Sequence, residues 1–191
     1  ATLHAATPDP AAGAGAIYAL RQVTPAYTGP VLTVRNGANK TTEIGSMATG
    51  KLDQAALKIF APDGNIFIAK WHDQSGKGRP AVQADPARQP LLNIEARALQ
   101  FDGTQYLEIA PVACATLFVV AKSSEATFSE YRALLGYHDK LHILNGIQNS
   151  SNLATAVNAF SFAARNGVAV EFAGGHDFRP LTELFAGAFL L

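Results

Sequence analysis

IFIAKWHDQSGKGRPAVQA, residues Ile66 to Ala84, places an apolar run, a polar turn and a second short extended run within nineteen residues. Ile66, Phe67, Ile68 and Ala69 form a β-prone apolar run. Asp73, Ser75, Gly76 and Gly78 then supply the side-chain acceptors and positive-φ positions that fold a chain back on itself. The stretch reads as strand, turn, strand. Within it, Trp71, Asp73, Gln74, Ser75 and Gly76 are the structural-turn candidates, with Asp73 capping the turn by accepting backbone N–H bonds. Trp71, the single tryptophan, is either a core residue or a flat face for a sugar ring.

Outward from this stretch, 191 residues with 48% hydrophobic content fill one core and fall short of two, so a single domain over residues 15–191 is expected. Residues 1–14 are rich in Ala, Pro and Gly and read as a linker or extended arm. Lys plus Arg and Asp plus Glu both number 15, and a net charge of zero provides no basic field for nucleic acid or an anionic membrane. No run approaches the ~18–20 apolar residues of a membrane-spanning helix. The opening residues also lack the charged and apolar regions of a leader, which is expected to be absent or removed. Cys114, alone in an apolar run, reads as a buried thiol and forms no intrachain disulfide.

Ile17 to Leu20 read as a short strand or a helical turn, and Val31 to Arg35 as a strand closed by Asn36-Gly37. Leu52 to Phe60 is the one helix, because Leu52, Ala56, Leu57 and Phe60 share a face at helical spacing before Pro62 and Gly64 stop it. Asp102-Gly103 signals a hairpin between Ala98–Phe101 and Tyr106–Ile109. Ala115 to Lys122 has the length and apolarity of a central strand. Further runs follow at intervals of roughly ten residues, with Arg165-Asn166-Gly167 as the best two-strand turn. The pattern is all-β, a jelly-roll β-sandwich with one short helix. The sequence ends inside the apolar run FAGAFLL, so a terminal element is expected beyond Leu191, or a cover for that run.

Tyr18-Ala19-Leu20-Arg21, Tyr27-Thr28-Gly29-Pro30 with Val34-Arg35, and Trp71-His72-Asp73-Gln74-Ser75-Gly76 followed by Gln83-Ala84 resemble the N-terminal part of the fungal arabinofuranosidase B family. The likeness covers about Ile17 to Ala84. The same opening followed by Phe101 to Leu107, FDGTQYL, resembles concanavalin A-like lectin and laminin-G-like modules of bacterial secreted and phage structural proteins. That second resemblance implies a jelly-roll sandwich whose concave face binds sugar. The enzyme family carries a vicinal cysteine pair and a nucleophilic Glu in a His-Met-Glu-Ala-Ile segment. By position these fall at Leu134-Leu135 and near Leu141 to Leu144, where neither cysteine nor Glu stands.

A retaining glycosidase needs two carboxyl groups about 5–5.5 Å apart. If this chain is an enzyme, the candidates are Glu130, Glu171 and Asp177, of which Glu171 reads more simply as a solvated strand residue and Asp177 as a turn residue. The densest polar cluster is Tyr137, His138, Asp139, His142 and Asn145, the expected ligand-binding groove. His138 and His142 lie on either side of a turn between apolar strands, and a zinc site would need a third ligand, so no metal and no cofactor is expected. The sequence has no phosphate loop, Cys-x-x-Cys pair, nucleophile elbow or His-Glu-x-x-His helix. Three functions remain open. The first is a non-catalytic carbohydrate-binding or attachment module of a larger extracellular, cell-surface or virion-associated protein. The others are an arabinofuranosidase-type hydrolase and a purely structural assembly domain.

Overall fold

The computed structural model describes residues 12–112 and 116–122 and, beyond these, the strands named below. The chain forms two compact units, Ala1–Ala113 and Cys114–Leu191. The described structure is strand-rich and antiparallel throughout, with one α-helix.

In the first unit β1 (Leu32–Asn36) pairs with β2 (Thr41–Ile44) on one side and with β3 (Ile66–Trp71) on the other. β4 (Ala81–Val82) and β5 (Leu91–Asn93) both pair with β3, and β6 (Ala98–Gln100) pairs with β5. The β1–β2 turn is made by Asn36, whose Oδ1 accepts from Ala38 N and Lys40 N, while Asn39 takes a positive φ of 59°. Asparagine tolerates that left-handed conformation through its short polar side chain. The β1–β3 register slips between Thr33 and Val34, which pair with Lys70 and Ile68 and leave Ala69 as a bulge.

The helix α1 (Gln54–Phe60) begins two residues later than its apolar spacing predicts. Leu52 is held in an isolated bridge to Ser46, and Asp53 caps the helix, its Oδ1 accepting from Ala56 N at 3.0 Å. Leu57, fully buried, carries the helix onto a core of Val31, Leu32, Val34, Ile44, Ile66, Ile68 and Leu92. Burying such a leucine contributes about 1.5–3 kcal/mol.

Two local expectations are corrected. Residues 17–20 form no regular element; their backbone is held instead by side chains of the opening stretch. Tyr106–Ile109 does not close a hairpin on β6. The Asp102 carboxylate takes the Thr104 N–H and hydroxyl and the Gln105 amide, turning the chain so that Glu108 bridges to Val82. β6 pairs with β5 through the loop 94–97.

In the second unit the strands β7 (Thr116–Ala121), β11 (Phe162–Arg165), β12 (Val168–Val170) and β14 (Phe185–Leu190) follow the order β12-β11-β14-β7. β8 (Arg132–Tyr137), β9 (Leu141–Gly146), β10 (Leu153–Thr155) and β13 (His176–Phe178) follow the order β13-β10-β9-β8. β7, expected at the centre of a sheet, stands at the end of its described order because its registered partner there is β14 alone. Phe118 and Val120, two apart on one face of β7, are exposed, 77% and 68%. The C-terminal apolar run is β14, which pairs on both sides, with β7 and β11, so its backbone donors and acceptors face neighbours rather than an open edge.

Candidate functional site

The Trp71–Gly76 run is a clasp. Asp73 is buried, and its Oδ1 accepts from Ser75 N and from Ile17 N, both at 2.9 Å. Its Oδ2 accepts from the Ser75 hydroxyl at 2.8 Å and from Arg79 N at 3.1 Å. Burial pushes this carboxyl up, but the hydrogen bonds from Ile17, Ser75 and Arg79 outweigh it and hold Asp73 below the ordinary carboxylate range. Gly76 sits at φ 76°, the left-handed position that lets the turn close.

Gln74 is 2% exposed, and its side chain ties down the segment before β1. Its Oε1 accepts from Val23 N at 2.9 Å, and its Nε2 donates to Arg21 O at 2.8 Å and Ala19 O at 3.2 Å. Trp71, half-buried against the core, donates from Nε1 to the same Ala19 carbonyl at 3.1 Å. Its ring lies 5.9 Å from that of Tyr18, whose hydroxyl donates to Arg79 O. Burial, with the nearby Asp73 charge, pushes the Tyr18 phenol up to about 12. Upstream, the Tyr27 hydroxyl donates to Pro30 O at 2.6 Å, and the ring lies so close over Gly29 that a Cβ there would stand 2.8 Å from the hydroxyl oxygen. Residues 17–23 are therefore held by the same stretch that builds β3, while Tyr27 shapes the Gly29-Pro30 bend.

A second buried network surrounds Arg35. Its Nε donates to Gln89 Oε1 at 2.7 Å, Nη1 to Asn39 Oδ1 at 2.9 Å and Nη2 to Pro86 O at 3.1 Å, and the guanidinium stacks 4.3 Å over the Phe67 ring. A buried cation without a carboxylate is costly, and here neutral oxygens and the ring's negative face offset the lost hydration. Gln89 donates on to Gln83 O at 2.9 Å, and Gln83 to Tyr106 O at 3.1 Å. Sequence reasoning missed this network. Its one sequence signal is polar residues on strands and loops between apolar runs.

Two features of the first unit have polar side chains available to solvent. On the sheet, His72 Nε2 lies 2.9 Å from Thr33 Oγ1 and 3.9 Å from Glu43 Oε1. Burial and the Lys70 charge lower the His72 pKa, and Glu43 opposes them in part, so the ring is neutral near pH 7. Between α1 and the β5–β6 hairpin lies a cleft of about 660 Å³ lined by Gln54, Lys58, Asn93, Glu95, Arg97 and Gln100, with Ala61, Pro62, Leu91 and Ile94 as apolar wall.

The expected groove falls on β8 and β9. Tyr137 ends β8 and pairs with Leu141, while His142 pairs with Gly136 and Asn145 with Ala133. Asn145 also pairs with Ala154, which in turn pairs with His176, so the backbone brings Asn145 and His176 to one rung of the sheet. Asp177 lies in β13. His138, Asp139, Glu130 and Glu171 lie outside the described residues. Among the described residues, no three His, Cys, Asp or Glu side chains converge as a metal site would require. No described helix is long and apolar enough to cross a membrane. Comparison of this chain with protein families, with curated proteins and with solved structures finds no match.

Proposed function

We propose that this chain is a non-catalytic, concanavalin A-like jelly-roll module that binds carbohydrate or attaches a larger secreted or virion-associated protein to its target. One observation supports the non-catalytic reading: near Leu141 to Leu144, where the resembled enzyme family carries its nucleophilic Glu, this sequence has none, and Asp73, in the stretch that carries the resemblance, is spent on four hydrogen bonds that fold the chain. A carboxylate so saturated has no lone pair left to direct at a substrate, and held ionised it is no proton donor. The antiparallel, strand-rich build and the likeness over Phe101 to Leu107 support the lectin side of the reading. In this reading Tyr137, His138, Asp139, His142 and Asn145 form a shallow groove in which rings stack on sugar and polar groups bond hydroxyls.

A glycan array followed by calorimetry with arabinose-containing oligosaccharides tests it, with a Kd below about 1 mM expected and weakening in Tyr137→Ala and His142→Ala. Absence of any saccharide binding at that level overturns the carbohydrate reading. Steady turnover of p-nitrophenyl arabinofuranoside by the wild type overturns the non-catalytic one.

A further inference from the structure

We infer that the cleft between α1 and the β5–β6 hairpin is a binding site for a carboxylate-bearing saccharide, with Arg97 and Lys58 pairing to the uronate carboxylate. The inference rests on the carbohydrate-module reading and goes beyond it by naming a second site, apart from the Tyr137–Asn145 groove, with its ligand class. The cleft, about 660 Å³, is broad and open to solvent, with Lys58, Glu95, Arg97 and Gln100 exposed. The amides of Gln54 and Gln100 each offer a donor and an acceptor, the pairing that vicinal hydroxyls need. Asn93 spends its Oδ1 on Ala96 N at 2.8 Å and keeps its NH2 group for a ligand. Ile94, Leu91 and Pro62 provide apolar contact for the C–H face of a ring.

Charge selects the acidic sugar. Lys58 and Arg97 both line the cleft, and among the described residues neither lies within salt-bridge distance of a carboxylate, Glu95 included. No aromatic ring lines the cleft, so stacking contributes nothing and recognition depends on the cations.

Arg97 occupies the last position of the four-residue loop 94–97 at φ 51°, a conformation that glycine adopts without strain and arginine does not. The loop geometry alone calls for glycine or asparagine there. The guanidinium is what the arginine adds.

That strain makes a clean test. In the full chain, calorimetry with tri-galacturonate should show binding at least tenfold tighter than with maltotriose, and weakening as salt rises. Arg97→Gly should lose at least tenfold in affinity for tri-galacturonate while its melting temperature holds or rises, and Lys58→Gln should also weaken binding. Equal affinity for the two trisaccharides, or full tri-galacturonate binding by both variants, overturns the inference and leaves the carbohydrate reading standing. Failure of every saccharide on the array removes the carbohydrate reading and the inference with it.

Discussion

Replacing Gln74 by alanine tests whether the Trp71–Gly76 stretch is a clasp. The side chain is fully enclosed and makes three hydrogen bonds to the backbone of residues 19–23. Ala19 O keeps its bond from Trp71 Nε1 after the substitution, so the Val23 N–H and the Arg21 carbonyl are the groups that lose their partner. Leaving a buried polar group unpaired costs about 1–3 kcal/mol, and Arg21 is near enough to solvent for water to recover part of its share. The expected loss is therefore about 2–4 kcal/mol, which in a unit of some hundred residues lowers Tm by roughly 10–20 °C. Thermal and urea denaturation followed by fluorescence reads this directly, because Trp71 is the only tryptophan and touches the released segment. Its emission should also shift to the red. Gln74→Glu should be destabilised too, since a carboxylate faces two carbonyls. Its stability should recover on acidification, when the raised acid binds a proton in the folded state before the unfolded one does. A Gln74→Ala protein within about 1 kcal/mol of wild type, with unchanged Trp71 emission, refutes the clasp.

Further outcomes follow from the same contacts. Because hydrogen bonds hold the folded Asp73 carboxyl below its ordinary value of 3.8, the unfolded chain protonates first as pH falls. Stability should therefore decline as pH drops through and below that range, and Asp73→Asn should flatten the decline in denaturation curves collected across acidic pH. The Tyr18 phenol, raised to about 12 from 10.0, contributes stability that is complete below pH 10 and lost as pH climbs toward 12. An absorbance titration should show late phenol ionisation that is reduced in Tyr18→Phe, with the part from Tyr27, also raised by burial, remaining. His72 titrates below its usual 6.5 in the fold, so acidification through that value favours the unfolded state. Glu43→Gln should depress the His72 pKa further in an NMR titration; a rise would contradict the attraction drawn between the two side chains.

Much of the secondary structure is visible in short-range chemistry. The apolar run at Ile66–Ile68, the helical spacing of Ala56, Leu57 and Phe60, and the turn residues Asp73, Ser75 and Gly76 all act over a few residues, where side-chain type and backbone preference dominate. Pairing is less legible. The Asp102-Gly103 step looks like a hairpin, yet Thr104 and Gln105 spend the Asp102 carboxylate on a local turn, and Glu108 meets Val82 instead of β6. β7 has the composition of a central strand but ends the described order of its sheet, because apolarity records a preference for burial and says nothing about which neighbours arrive. The α1/β5–β6 cleft was not foreseen either: Lys58 and Arg97 are 39 positions apart, and nothing in the spacing relates a helix end to a distant hairpin loop.

The opening stretch shows the same division within nineteen residues. The sequence by itself determined that Ile66 to Ala84 would run as strand, turn and strand, and that the chain is built from β-strands. Only the tertiary structure decided that Gln74 reaches back 51 positions to Val23, and that Asp73 reaches back 56 to Ile17. Local preference is encoded residue by residue, whereas long-range hydrogen bonds form only after the chain has collapsed and buried donors must find whatever acceptors the packing brings near.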